Sequence, residues 1–189
     1  MSLVAEKSTE EGEMNDINDA VIRLAGNSQD GIQTIGGFLA RLAGRSAQEV
    51  MTYMTIPSTI SGGASIFQVR IGSGEVLSPG DDADFLVAFY QDSYENHINS
   101  LRDGGVCLYD SDHVEPDTND KRVTYVGIPM TSTTVEAIGG SARDRGKNIF
   151  VLGLLTNLFE LNREKLITII ETQFKRKHES VLRLSLIHI

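Results

Sequence analysis

The feature that most constrains the fold is a strand, a glycine loop and a helix in direct succession near the start of the chain. The largely apolar run Val21 to Ala25 is typical of a buried strand, and it gives way to turn residues in Gly26-Asn27-Ser28-Gln29-Asp30-Gly31. Apolar or small residues then recur at helical spacing, at Ile32, Ile35, Gly36, Leu39 and Ala43. This succession predicts a Rossmann-type unit whose helix packs on a sheet.

The rest of the chain alternates strand and helix patterns. The helix predicted between Phe89 and Gly105 completes a βαβ unit, and Ile149 to Phe159 is apolar on nearly every side, which favours a central or interface helix. Asn162 can cap one more helix. The other strand candidates are Val50 to Ile56, Ser65 to Ile71, Phe85 to Phe89, Gly105 to Tyr109 and Val123 to Ile128. We therefore predict an α/β fold, a Rossmann-like three-layer domain with a mixed, mostly parallel sheet.

Charge and cysteine content exclude several classes of function. The net charge of −9 disfavours nucleic acid and anionic membrane surfaces as partners. A single cysteine, Cys107, can form no internal disulfide and cannot by itself hold an iron–sulfur cluster, which suggests a reducing, cytoplasmic setting. No apolar run approaches membrane-spanning length. The four histidines lack the spacing of metal ligands, so we expect no metal site and identify no catalytic residue.

The glycine loop is a candidate binding or contact site with an unusual composition. Dinucleotide loops follow G-x-G-x-x-G, whereas Ser28 and Gln29 place side chains in this loop and Asp30 adds a negative charge at the helix start. A carboxylate there favours the helix dipole and opposes a pyrophosphate. The loop is therefore interpreted as structural, with nucleotide binding and a subunit or cofactor contact left open.

A second segment, Pro57 to Arg70, has a more specific sequence pattern than the glycine loop. It joins the hydroxyl side chains of Ser58, Thr59 and Ser61 to the pair Gly62-Gly63, and it ends in Phe67-Gln68-Val69-Arg70. Adjacent glycines allow positive φ and expose N–H donors, which suits an anion or a neighbouring subunit, and a plain tight turn is the alternative.

Together the two segments resemble the gamma domain of 2-oxoacid:ferredoxin oxidoreductases, in the form fused to the N-terminus of the alpha subunit in 2-oxoglutarate enzymes. The resemblance covers roughly Asp19 to Arg183. It implies oxidative decarboxylation of a 2-oxoacid, with 2-oxoglutarate as the expected substrate, to an acyl-coenzyme A with electrons passing to ferredoxin. Thiamine diphosphate, Mg²⁺, iron–sulfur clusters and coenzyme A are implied for the whole complex, and none is expected on this fragment, which alone should be inactive.

The resemblance also implies partners and a domain organisation. The partners are a thiamine-binding domain beyond Arg183, a beta subunit and ferredoxin. Residues 1–19, with six acids against Lys7, are predicted to be a disordered tail, 20–183 the pyruvate/ketoisovalerate oxidoreductase gamma-type domain, and 184–189 a non-native, adapter-derived end. A free-standing nucleotide or coenzyme A module and a structural assembly subunit remain the alternatives.

Two acidic clusters complete the candidates. Asp81, Asp82 and Asp84 follow Pro79-Gly80 and are interpreted as a solvated turn. The cluster Asp110-Ser111-Asp112 ends a predicted strand, where open α/β sheets face their ligand crevice, so it is either a candidate site or a solvated loop.

Overall fold

The computed structural model describes residues 19–46, 48–57, 62–138, 146–159 and 161–174. These residues form six strands and five α-helices, and the last three helices follow one another at the end of the described chain. The strands are β1 (Asp19–Asn27), β2 (Glu49–Thr55), β3 (Ala64–Gly72), β4 (Ala83–Ala88), β5 (Leu101–Asp110) and β6 (Thr124–Ile128). The helices are α1 (Ile32–Gly44), α2 (Gln91–His97), α3 (Met130–Ile138), α4 (Lys147–Leu158) and α5 (Arg163–Phe174).

All six strands form one sheet in the order β2-β3-β1-β4-β5-β6. Strands β1, β4, β5 and β6 are parallel neighbours, whereas β3 is antiparallel to both β1 and β2. The carboxyl ends of β1, β4, β5 and β6 therefore lie along one edge. The predicted α/β fold with a mixed, mostly parallel sheet is confirmed.

Helices cover both faces of the sheet. Helix α1 buries Ile32, Ile35, Gly36, Leu39 and Ala43, the face that the helical spacing predicts, in a core shared with α4 and α5. Helix α2 lies on the other face, where Tyr94 packs with residues of β1, β4 and β5. The predicted burial of α4 is also confirmed, because Val151, Leu152 and Leu155 are fully buried.

Several predicted boundaries differ from the structure. Strand β5 begins at Leu101, four residues before the predicted Gly105, so α2 is a short helix followed by a 3-10 turn at Ile98–Ser100. Helix α3 was not predicted. Its sequence is rich in serine, threonine and β-branched residues, which have weak helix propensity, so its formation depends on contacts from elsewhere in the fold.

The Gln68-Val69-Arg70 segment has a structural role. The buried Gln68 amide donates to the backbone oxygens of Pro79 and Gly80, at 2.7 and 2.6 Å, and its oxygen accepts from Arg23 Nε at 2.8 Å. Arg70 donates to Asp19 Oδ2 at 2.6 Å. The Gln68 hydrogen bonds hold the Pro79-Gly80 turn against β3, and the Arg70 hydrogen bond ties β3 to the start of β1.

The acidic stretch after that turn is only partly solvated. Asp81 and Asp82 are exposed, as predicted, but Asp84 accepts the backbone N–H of Val21 at 2.7 Å and pairs with Arg102 at 2.8 Å. Asp84 therefore helps to fix the start of β1.

The predicted acidic tail lies outside the described residues except for Asp19, which begins β1, and the predicted adapter-derived end lies outside them entirely. Among the helices that the structure describes, none is long and apolar enough to cross a bilayer.

Candidate functional site

The candidate site lies where the chain leaves the sheet in opposite directions. After β1 the chain passes through α1 towards β2 and β3 on one side, and after β4 it passes through α2 towards β5 on the other. In open α/β sheets such a reversal leaves a crevice outside the carboxyl ends of the two strands. The glycine loop follows β1 and therefore borders this crevice.

The glycine loop is closed by its own carboxylate. Residues Ser28–Asp30 form a 3-10 turn. Asp30 folds back over it, so that Oδ2 accepts the backbone N–H of Asn27 at 2.8 Å and Oδ1 accepts the hydroxyl of Tyr90 at 3.0 Å. A phosphate would need such donors for itself. The carboxylate of Asp30 takes that place.

Gly31 lies between the glycine loop and α1, and it packs against the start of α4. Its φ of 72° lies in the left-handed region, and a Cβ there would come within 2.4 Å of Asn148 Nδ2 at the start of α4. Glycine is needed here both for the backbone conformation and for the close approach of α4.

The two segments that carry the family resemblance are in contact. Ser58, Thr59 and Ser61 lie outside the described residues, but Gly62 and Gly63 have φ of 92° and 152°, as the glycine pair predicts. The carbonyl of Gly63 accepts the N–H of Ser28 at 3.0 Å. A Cβ on Gly62 would lie 3.4 Å from the Gln29 amide nitrogen. The second loop therefore rests directly on the glycine loop.

Beneath the crevice lies a buried polar network centred on Asp110 and Lys147, whose side chains are 0% and 1% exposed. Lys147 Nζ lies 3.4 Å from Asp110 Oδ2, 3.2 Å from Thr131 Oγ1 and 3.5 Å from the Tyr90 hydroxyl. It also lies 4.9 and 4.5 Å from the ring centres of Phe89 and Tyr90. The ammonium is thus held by one carboxylate, two hydroxyls and two aromatic faces.

Asp110 also holds the start of α3. Its Oδ1 accepts the backbone N–H of Met130 at 3.0 Å, and its Oδ2 accepts the hydroxyl of Thr131 at 2.6 Å. The interpretation of the Asp110 to Asp112 cluster as a solvated loop is therefore wrong for Asp110. Carboxylates at a helix start satisfy its free N–H groups, which explains how α3 forms despite its sequence.

Asp112, by contrast, is exposed and caps α3 from outside. It accepts the backbone N–H of Ser132 at 2.7 Å and the Ser132 hydroxyl at 3.1 Å. Desolvation alone would raise the pKa of the Asp112 carboxyl, but these hydrogen bonds and nearby His113 hold it below its ordinary value. Asp112 therefore remains ionised at neutral pH.

The crevice has a volume of about 680 Å³ and an acidic rim. Tyr90 and His113 form an aromatic wall, with ring centres 5.4 Å apart. No lysine or arginine is among the described residues that line it, which include Asn27, Gly63, Tyr90, Asp92, Asp112 and His113. Such a surface repels phosphates and suits an uncharged polar group or a neighbouring chain.

No sequence motif identifies Lys147 as a candidate site residue. One local signal exists: Lys147 is the first residue of a largely apolar helix, where a cation opposes the helix dipole. Such a violation of a local rule marks a residue with a non-local partner. Within the part of the chain that the structure describes, no group of three or more histidine, cysteine, aspartate or glutamate residues is arranged to hold a metal ion.

Comparison with known proteins gives consistent matches. The family profile described as pyruvate ferredoxin/flavodoxin oxidoreductase matches residues 21–186. The 2-oxoglutarate oxidoreductase subunit KorA of Mycobacterium tuberculosis is 32% identical over 86% of this chain and 29% of its own length. The 2-oxoglutarate synthase subunit KorC of Methanocaldococcus jannaschii is 32% identical over 72% of this chain and 73% of its own length.

A solved structure agrees with these relatives. The 2-oxoglutarate:ferredoxin oxidoreductase from Magnetococcus marinus, with 2-oxoglutarate, coenzyme A and succinyl-CoA bound, superposes with a TM-score of 0.81 at 33% identity. The match covers 90% of this chain and 30% of that one. The chain thus spans less than a third of the length of the long relatives that it matches.

Proposed function

Because the chain belongs to the pyruvate ferredoxin/flavodoxin oxidoreductase family, we propose that it is the gamma domain of a 2-oxoacid:ferredoxin oxidoreductase whose substrate is 2-oxoglutarate. The complete enzyme would form succinyl-coenzyme A and pass the electrons to ferredoxin in the cytoplasm. The observation that most supports this role is the family match over residues 21–186, which includes both loops at the crevice. Relatives named for 2-oxoglutarate favour that substrate.

The cofactors of the reaction do not fit the residues described here. An iron–sulfur cluster needs several thiolates, and the chain has one cysteine. Burial raises the pKa of the Cys107 thiol to about 12, which disfavours the thiolate that a metal would require. Thiamine diphosphate needs Mg²⁺ and donors for its diphosphate, whereas Asp30 already occupies the glycine loop. We therefore assign these cofactors to the thiamine-binding domain and the beta subunit.

This domain would contribute a surface that contacts the thiamine-binding domain and coenzyme A. The Gly62-Gly63 loop, supported by Ser28 and Gln29, would contact the thiamine-binding domain and border the path of coenzyme A. The acidic rim would exclude the phosphates of coenzyme A from the crevice and leave room only for its uncharged arm. Exposed apolar side chains such as Ile56 and Leu77, 72% and 78% exposed, are consistent with burial against other subunits.

The test is a glycine substitution in the complete enzyme. We expect Gly62→Val to lower succinyl-coenzyme A formation or to prevent assembly, since a β-branched side chain disfavours a φ of 92° and meets Gln29. Gly74→Val is the matched control, because Gly74 has nothing within 4 Å. Ferredoxin reduction and size-exclusion chromatography with light scattering would measure both effects. Equal activity and assembly of the two variants would contradict the proposed contact.

The second candidate is a free-standing nucleotide or coenzyme A module, which the Rossmann-type succession of β1, the glycine loop and α1 favours. Calorimetric titration of the isolated chain separates the two. We expect no binding of NAD, FAD or coenzyme A tighter than a dissociation constant of about 10 μM, or roughly −7 kcal/mol. Tighter binding would favour the module. The isolated chain should also show no 2-oxoacid-dependent reduction of an acceptor when thiamine diphosphate, Mg²⁺ and coenzyme A are supplied.

A further inference from the structure

Lys147 occupies a position that is unfavourable in two ways. It is the first residue of α4, so its ammonium lies at the positive end of the helix dipole. Its side chain is only 1% exposed, so the charge has lost its hydration. A buried ion pair can often be replaced by apolar residues without loss of stability. The stability of the fold alone therefore does not explain a lysine at this position. The explanation must lie in the specific contacts that its ammonium makes.

On one side, Lys147 supports the start of α3. Its Nζ lies 3.4 Å from Asp110 Oδ2 and 3.2 Å from Thr131 Oγ1. The same carboxylate accepts the backbone N–H of Met130 at 3.0 Å. The ammonium therefore neutralises the group that fixes the connection between β6 and α3.

On the other side, Lys147 supports the glycine loop through an aromatic ring. Its Nζ lies 3.5 Å from the Tyr90 hydroxyl and 4.5 Å from the centre of the Tyr90 ring. That hydroxyl donates to Asp30 Oδ1 at 3.0 Å, and Asp30 Oδ2 accepts the N–H of Asn27 at 2.8 Å. A continuous series of contacts thus runs from α4 to the end of β1.

We infer that Lys147 is the positioning residue of the crevice: its buried ammonium fixes the Tyr90 wall and, through Asp30, the conformation of the glycine loop. The buried contacts of Lys147 thereby determine the positions of two walls of the crevice, Tyr90 and the glycine loop. The inference goes beyond the proposed function, because this coupling exists in the chain whether or not a partner or coenzyme A contacts the crevice. Its test therefore needs neither.

The test is residue-resolved amide exchange of the 189-residue chain by NMR. In Lys147→Met we expect the amides of both Asn27 and Met130 to exchange at least tenfold faster relative to amides in the middle of β1 such as Leu24, which report the general loss of stability from leaving Asp110 unpaired. The matched control is Lys121→Met, since exposed Lys121 donates only to the Thr118 carbonyl in the contacts described. We expect no change at Asn27 or Met130 in the control.

A second variant removes one side only. Tyr90→Phe keeps the ring but deletes the hydroxyl between Lys147 and Asp30, so Asn27 should exchange faster and Met130 should not. Equal acceleration at Leu24, Asn27 and Met130 in Lys147→Met would indicate a general loss of stability and overturn the inference. An unchanged Asn27 rate in Tyr90→Phe would also overturn it, and that variant decides the matter if Lys147→Met does not fold.

Discussion

Substitution of Gly36 tests how closely α1 packs on the sheet. A Cβ at this position would lie 2.1 Å from Cδ1, 2.3 Å from Cγ and 2.7 Å from Cε1 of Phe67. Ordinary carbon contacts are about 3.5–4.0 Å, so in Gly36→Ala the ring or the helix must move by roughly 1.5 Å. Phe67 is only 4% exposed within the main core, which leaves the ring little space. Such overpacking costs about 1–3 kcal/mol.

The next residue provides a matched control. Gly37 lies in the same helix and has nothing within 4 Å of the position of a Cβ. Alanine is favoured over glycine in a helix by about 1 kcal/mol, and both substitutions gain this equally. The difference between Gly36→Ala and Gly37→Ala therefore isolates the overpacking, and we expect Gly37→Ala to be the more stable by about 1–3 kcal/mol.

Urea unfolding followed by circular dichroism at the helix band measures this difference, provided that both variants have the same dependence on denaturant. In the double variant Gly36→Ala/Phe67→Leu, the smaller side chain should recover part of the loss. Equal unfolding midpoints for the two single variants would refute the close approach of α1 to β3.

Three further predictions concern stability. Leu155→Asp, at a fully buried position, should abolish the cooperative thermal melt, whereas Leu158→Asp, at a side chain 53% exposed, should retain it; similar melts would contradict the packing of α4. Gln68→Leu should lower the free energy of unfolding by about 2–4 kcal/mol in urea titrations, because it leaves two loop carbonyls without a donor; a loss below about 0.5 kcal/mol would contradict this. The hydrogen bond from Arg70 lowers the pKa of Asp19, so its stabilisation is present above about pH 4 and is lost as the pH falls through the lowered pKa. Asp19→Asn should therefore flatten the acid side of the melting-temperature profile, and an unchanged profile would contradict it.

Prediction from the sequence succeeded where the signal is local. The spacing of Ile32, Ile35 and Leu39 predicted the buried face of α1, because each turn of a helix presents its side chains to the same surface. It failed for α3, whose residues favour other conformations. That helix is fixed at its start by Asp110 and Asp112, which belong to a different part of the chain.

In the candidate site, too, local features could be predicted from the sequence, whereas contacts between distant residues could not. The composition of the glycine loop indicated that Asp30 opposes a pyrophosphate, but the hydrogen bonds of its carboxylate to Asn27 and Tyr90 became visible only in the fold. The contact of Ser28 with Gly63 likewise joins loops whose patterns were recognised separately. The roles of Ser58, Thr59 and Ser61, which lie outside the described residues, stay predictions.

The sequence by itself determined the fold class, the family resemblance and the loops that border the crevice, because periodicity and glycine placement act through neighbours along the chain. Only the tertiary structure decided which charged groups are buried together. Asp110 ends β5 and Lys147 begins α4, and the two meet only in the folded chain, where both side chains lose nearly all contact with water. The free energy of a buried charge depends on its partner in space, which no local pattern in the sequence specifies.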